Sequence, residues 1–401
     1  MANVSSSNGL EKRPRLAFRN TDGSHFPCWR QTSLGCIIEP YSEKVYGEHD
    51  YEVLTSSREG LQRQEDHFGS KQRHDTDGYN IIPFGYCTYR NRSDDGKFAF
   101  NINTISEKAI VSKFYPVFRF TNANSTFMAE FLNSSPRVKK KLSVLAVGTS
   151  QVVLSFEALK AAKFDLPCKD EQDKIAAFLE CLNTRIENQR TLVVALKKYK
   201  RGLLSQLIAQ KKAFDTSGEW KTVKLGHIFK ERTERAKGNE TLLAVTISNG
   251  VQRRDEIDLK DNSSDDKSNY KCVYIGDIAY NTMRMWQGAS GVSPYNGIVS
   301  PAYTIVTPIR PDLHNMTFWA YYFKYSPLVQ TFQKYSQGLT SDTWNLKFPQ
   351  FSEIAVTMPP ISEQDKIAEC LSVFDEHCKC EDEMLQALLQ VRTALLQQLF
   401  I

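Results

Sequence analysis

Two long stretches of this chain are versions of one another. Trp29, Leu34 and Gly35 return as Trp220, Leu225 and Gly226, each 191 positions later. Leu54, Thr55 and Ser57 return as Val245, Thr246 and Ser248, and after a one-residue deletion Gly60, Gln62 and Arg63 return as Gly250, Gln252 and Arg253. Tyr79, Gly85 and Tyr89 match Tyr270, Gly276 and Tyr280, while Ile110 to Ser112 matches Ile298 to Ser300. The segment Glu-Gln-Asp-Lys-Ile-Ala at 171–176 recurs letter for letter at 363–368. The offset stays between 188 and 192 throughout, so one architecture has to serve twice.

Each copy reads as a mixed domain followed by one long helix. We expect a tail over 1–16, a first domain over 17–164, a central helix over 165–212, a second domain over 213–356 and a terminal helix over 357–401. The domain parts hold short alternating apolar segments such as Cys272 to Tyr280, punctuated by Gly, Asn, Asp and Pro, with helical stretches such as Phe127 to Leu132 and Phe318 to Phe323. The helices open on matching signals after Pro167 and Pro359-Pro360: Asp170 with Asp173, and Ser362 with Asp365, each a capping residue with an acid three places on. No proline interrupts either helix afterwards. About 38 residues at ~1.5 Å each make a rod on the order of 55 Å.

Apolar residues recur along the first helix at spacings of four and three: Ile175, Leu179, Leu182, Ile186, then Val193, Leu196, Leu203 and Leu207. Ile367, Leu371, Phe374, Cys378, Leu385, Leu388, Leu395 and Leu399 repeat the pattern in the second. This is a coiled-coil seam, and its polar interruptions, Gln189 with Glu381 and Lys200 with Arg392, are duplicated too. Two rods with matching seams are satisfied most simply by packing on each other. A second stripe adjoins the seam, Leu192, Leu204 and Ile208 on one helix and Met384, Leu396 and Phe400 on the other. We read it as a binding face for a helical partner protein; contact with the chain's own domains is the plainer alternative.

Catalytic chemistry is not encoded in any recognisable form. The one Pro-Pro pair, Met358-Pro359-Pro360-Ile361, lacks the Asn/Asp-Pro-Pro-aromatic context of an amino-methyltransferase. There is no GxxxxGK[ST] phosphate loop, no GxGxxG turn and no HExxH, and the acidic runs Ser93-Asp94-Asp95 and Ser264-Asp265-Asp266 read as solvated turns. Nine cysteines without a CxxC pair suit neither a disulfide framework nor a zinc site, so no metal and no cofactor is expected in this chain. With no apolar run near the ~18 residues of a membrane span and a polar start from Met1 to Arg15, the chain is expected to be cytoplasmic, with no membrane partner. A formal charge of +5 permits nucleic-acid binding without demanding it.

What remains are polar and basic clusters at equivalent places in the two domains. In the first, Arg90, Asn91 and Arg92 follow a predicted strand, with Arg58 and Arg63 upstream and Lys71 and Arg73 between. In the second, Asn281, Arg284 and Gln287 follow the equivalent strand, with Ser248, Asn249, Gln252 and Arg253 upstream; Met283, Met285 and Trp286 read as hairpin core. Arg can grip guanine bidentately and Asn or Gln adenine, while Lys and Ser position phosphates. The partner is therefore expected to be double-stranded DNA.

Two domains that each open on Trp-x4-Leu-Gly, and each close on Pro, Glu-Gln-x-Lys-Ile-Ala and a heptad helix ending Leu-Leu-x-Gln-Leu, resemble the specificity subunits of type I restriction-modification complexes. Here those elements are Trp29 to Gly35, Pro167, Glu171 to Ala176 and Leu203 to Leu207, then Trp220 to Gly226, Pro359, Glu363 to Ala368 and Leu395 to Leu399. The resemblance implies an α+β fold: two similar mixed α/β target-recognition domains separated by two long antiparallel coiled-coil helices, an internal pseudo-two-fold repeat. It implies two modification (methyltransferase) subunits bringing S-adenosylmethionine, and restriction (translocase/endonuclease) subunits bringing ATP and Mg. A stand-alone bipartite DNA-binding regulator, or a coiled-coil scaffold without DNA affinity, are the alternatives to this reading.

Overall fold

The computed structural model describes residues 14–69, 75–214, 218–238, 240–257, 266–340 and 343–400. The chain divides into two compact units, one of 1–189 with 384–401 and one of 190–383. Each unit therefore takes one domain and a piece of both long helices. Most of the expected tail, 1–13, lies outside the described residues.

In the first unit the domain is closed by an antiparallel pair, Arg30–Ser33 with Lys163–Leu166. Between them lies a four-stranded antiparallel sheet in the order Ile38–Tyr41, Val117–Phe120, Cys87–Tyr89, Phe100–Ile102. Alternation is plain in Val117–Phe120, where Phe118 and Phe120 are buried and Arg119 points out to Glu39 at 2.7 Å. A second sheet orders Gly60–Arg63, Glu52–Ser57, Lys108–Val111, Asn80–Pro83; its central pairing is parallel. Helices Ser125–Ser134, Pro136–Leu145 and Phe156–Ala161 cover the first sheet, around a core of Trp29, Phe118, Phe127, Phe131 and Leu159.

The second unit repeats this plan. Lys221–Lys224 pairs with Ala355–Met358, and the four-stranded sheet runs Phe229–Glu231, Tyr303–Pro308, Ile278–Asn281, Ser290–Val292. The second sheet is looser here: the hairpin Leu243–Thr246 with Gly250–Arg253 and the pair Lys271–Val273 with Gly297–Val299 meet in a parallel bridge from Leu242 to Ile298 and share a small apolar core of Leu243, Val245, Val251, Val273 and Val299. Phe229, Tyr280, Trp319, Phe323, Phe332 and Phe351 form the core.

The long helices span Lys169–Ile208 and Ile361–Leu399, beginning slightly before the expected caps. Asp173 pairs with Lys169 in the first turn of its own helix at 2.6 Å, and both Asp173 and Asp365 also reach outward to the domains. Each accepts from an asparagine that caps a domain helix: Asn124 Nδ2 to Asp173 at 2.7 Å, Asn315 Nδ2 to Asp365 at 2.8 Å. The same asparagines accept from the Phe127 and Phe318 amides and donate their own amides to buried Gln172 and Gln364. Those glutamines reach back to the Pro167 and Pro359 carbonyls, both at 3.0 Å, which leaves neither amide end unpaired. The letter-for-letter repeat is therefore the joint between each domain and its helix.

Within each unit the two helix pieces run antiparallel. In the first, Ile175 and Leu179 share a core with Leu396, Leu399 and Phe400 while Arg392 reaches Asn183. In the second, Leu204, Leu207 and Ile208 share a core with Ile367, Ala368 and Leu371 while Lys200 pairs with Asp375 and Tyr199 meets Phe374. All the seam residues are buried or half-buried. The interrupting cations also have counterparts: Arg392 Nη2 donates to both Glu130 carboxylate oxygens, at 2.7 and 2.9 Å, and Lys200 lies 4.8 Å over the Tyr321 ring. No described helix is long and apolar enough to cross a membrane.

Glu130 has a side chain only 16% exposed, so Arg392→Leu strands a carboxylate against an apolar neighbour. We expect a loss on the order of 3 kcal/mol, read as a lower urea midpoint at unchanged slope. Adding Glu130→Leu should recover most of it.

Candidate nucleic-acid interface

In the first unit the tip of the hairpin 52–63 meets the exit of strand Cys87–Tyr89. Together they form a concavity of about 100 Å³ lined by Ser56, Ser57, Arg58, Arg90, Arg92, Ser93, Asp94, Lys97 and Ala99. Three of the arginines singled out from sequence thus converge, and Lys97 joins them. Arg58 reaches Asp95 at 2.5 Å and Lys97 reaches it at 3.4 Å. Partial desolvation pushes the Asp95 carboxyl up, but bonds from Ser93 and Lys97 and the charge of Arg58 outweigh it and hold it below its ordinary range. The pair is exposed and screened by solvent, so Arg58 can exchange Asp95 for a phosphate or a guanine edge at little cost. Arg92 stacks 5.3 Å over Phe114.

Other candidates are placed differently. Arg63 leaves the concavity for a surface it shares with Asp50, Glu52 and Glu65, with Nε 2.8 Å from Glu52; that bond and charge raise its pKa. Its equivalent Arg253 likewise faces Asp255 at 3.0 Å and Glu256 at 3.8 Å. Both cations thus have acidic neighbours on the exposed surface. Asn91 is half-buried, its carbonyl accepting from Leu154. Lys71 and Arg73 lie outside the described residues.

In the second unit Ser248 and Asn249 are exposed at the hairpin tip, where the Asn249 amide donates to Thr246 at 3.0 Å. Gln252 is half-buried along the strand, 3.4 Å from the Thr246 hydroxyl. Asn281 Oδ1 accepts from the Met283 amide at 3.0 Å, so half of a bidentate adenine contact is already engaged in shaping a turn. Arg284 and Gln287 project from that turn into solvent. Met285 is core as expected, but Met283 is exposed and Trp286 half-buried, its Nε1 donating to the Met283 carbonyl and its ring edge-on to Trp344 at 5.1 Å. The turn is too short to bury all three. Sequence periodicity could not separate them.

The hairpin lies against the strand Ser290–Val292, which follows the turn, through two glycines. A Cβ on Gly291 would stand 2.7 Å from Gly250 Cα and 3.1 Å from the Val251 nitrogen. The equivalent of Gly291 in the first unit is Asn101, which instead donates to Ser56 Oγ and the Ser57 carbonyl, both at 2.8 Å.

The second helical stripe is corrected by the structure. Leu204, Ile208, Leu396 and Phe400 are 5–6% exposed and sit in the cores of the chain's own units, Phe400 edge-on to Phe127 and Phe131. They satisfy their own domains, so only Leu192 and Met384, 41% and 47% exposed, remain for a partner.

The family model described as the type I restriction modification DNA specificity domain matches this chain twice, over residues 39–196 and 217–390. The crystal structure of a type I restriction-modification system S subunit from M. genitalium is similar over 97% of this chain and 99% of its own, with 16% identity and a TM-score of 0.57. A second solved chain, described under "Structural basis underlying complex assembly and conformational transition of the type I R-M system", is similar over 93% and 97%, with 16% identity and a TM-score of 0.55. At such identities the likeness is one of fold: two mixed α/β domains and two long helices.

Backbone cannot retreat from a new methyl group as a flexible side chain can. Gly291→Ala should therefore cost about 1–3 kcal/mol. It should also speed hydrogen exchange in the hairpin 243–253, while Gly202→Ala, inside the long helix with open space around it, should stabilise by about 0.5–1 kcal/mol and leave that exchange unchanged.

Proposed function

Because the chain belongs to the type I restriction-modification DNA specificity family, we propose that it reads an asymmetric, bipartite DNA site on behalf of methyltransferase and restriction subunits. The observation that carries this is the pair of equivalent surfaces, Arg58, Arg90 and Arg92 with Lys97 in one unit and Ser248, Asn249, Arg284 and Gln287 in the other. The frame beneath them is the same and the side chains are different. One frame with two residue sets suits two half-sites of different sequence. On this reading the chain itself transfers no methyl group and hydrolyses no ATP; its cofactors arrive with its partners. Leu192 and Met384, with the exposed polar faces of the long helices, are the surface offered to those partners.

The test is selection. A complex of this chain with its modification partner is given randomised duplex DNA, and methylated molecules are sequenced. Arg92→Ala should relax one half-site by about 1–3 kcal/mol, roughly 5- to 150-fold in preference, and leave the other intact. Equal loss at both halves would count against separate readers.

The long helices on this reading set the gap between half-sites. Any lengthening must spare the helix ends, since Leu207 and Ile208 are core residues of the second unit. A heptad added after both Gln189 and Glu383 preserves the seam and lengthens each helix by about 10 Å. The selected site should keep both half-sequences while its gap grows by about three base pairs. An unchanged gap in a folded, active complex would remove the helices from this role.

A further inference from the structure

We propose that Lys324 is a positioning residue for recognition by the second domain, a latch tying the hairpin 243–253 to the turn that carries Arg284 and Gln287. This rests on the functional reading above. The residue follows helix Met316–Tyr322, and its Nζ donates to two backbone carbonyls, that of Ile247 at 3.0 Å and that of Gly288. Ile247 is the hairpin residue immediately before Ser248 and Asn249. Gly288 is the left-handed residue that ends the turn after Gln287, with φ of +78°. One ammonium therefore holds both groups of candidate base readers at their backbones, where side-chain chemistry remains free to face DNA.

The first domain solves the same problem without a charge. The position equivalent to Lys324 is Asn133, which accepts from the Phe100 amide at 2.8 Å and donates to the Phe100 carbonyl at 2.7 Å. The next residue, Asn101, then grips Ser56 and Ser57 of the hairpin. Two asparagines thus relay helix to strand to hairpin. In the second domain Gly291 stands where Asn101 would be and has no side chain to make the last link. Lys324 is long enough to span the whole distance alone.

The lysine is kept there against its own electrostatic preference. Among the described residues it has no carboxylate partner; burial, with Lys200 adding a like charge, pulls its pKa down to about 8. Lys200 itself is engaged by Asp375 and the Tyr321 ring. A lysine retained where its charge is disfavoured, with donors spent on two carbonyls of two loops, fits a demand for loop geometry more than for stability.

The complex with its modification partner is challenged with randomised duplex DNA, using wild type, Lys324→Met, Lys324→Arg and Asn101→Ala. Lys324→Met should lower preference within one half-site about tenfold, as expected for two lost hydrogen bonds, and leave the other half-site unchanged. Asn101→Ala should do the reverse, and Lys324→Arg, which keeps donors for both carbonyls, should restore most of the loss. Hydrogen exchange across 246–250 and 285–288 should rise in Lys324→Met at unchanged exchange in 52–63. If Lys324→Met leaves preference and exchange as in wild type, or lowers both half-sites alike, there is no latch. If wild type selects no bipartite sequence, the reading of function fails while the exchange measurement still decides the latch. Should the Met variant not fold, Lys324→Gln, shorter and uncharged, takes its place with the same expected outcomes.

Discussion

A buried glutamine beside an aspartate, at the start of each long helix, is the joint on which the rest of this molecule depends. Gln172 and Gln364 are enclosed, and an enclosed amide is tolerated only when both of its ends are paired. Here one end is taken by the amide of Asn124 or Asn315 and the other by a carbonyl before the helix. The asparagine is in turn the cap of a domain helix. Moving the long helix by one residue would break all of these bonds together, so the helix leaves its domain in one direction and with one face presented. The heptad seam has a use only because that face is fixed.

The polar interruptions of the seam add a second determinant. Arg392 and Lys200 occupy equivalent places, yet their partners have exchanged chemistry. In the first unit the acid, Glu130, is on a domain helix and the neutral partner, Asn183, on a long helix; in the second the acid is Asp375 on a long helix and the neutral partner Tyr321 on a domain helix. The geometry of the repeat has been retained while the charges inside it were redistributed. The candidate recognition surfaces follow the same rule, with asparagine relays in one domain and a glycine contact plus a lysine in the other.

Much of this was legible in the sequence because it is periodic or repeated. The duplication, the two rods and their seam leave a signal at every third or fourth residue, and strands such as Val117–Phe120 leave one at every second. The convergence of Arg58, Arg90 and Arg92 was also legible, since the repeat aligned both segments with their counterparts. Local patterns misled where a residue's partner is distant in sequence. Asp173 looks like a capping acid because Asp170 stands three places before it, and nothing nearby announces Asn124. Leu204, Ile208, Leu396 and Phe400 look surplus on a rod already paired, because the cores that absorb them are formed by residues far away in sequence. Arg63 lies beside Glu52, across the hairpin, a pairing that no local pattern shows. Lys324 had no motif at all; its importance comes from two carbonyls that pairing of distant segments brings within reach.

The placement of Leu396, Leu399 and Phe400 in the first core has a consequence for how the protein is made. Leu16, near the start, also donates its amide to the Gln398 carbonyl. On the ribosome the first domain emerges early, but the side chains that complete its interior, Leu396, Leu399 and Phe400, emerge more than two hundred residues after its last strand, Lys163–Leu166. The second domain, by contrast, has Leu204, Leu207 and Ile208 waiting before it is translated. The part synthesised first is thus the last to be finished, and for much of translation it must carry an unfilled apolar site whose proper occupant has not yet been made.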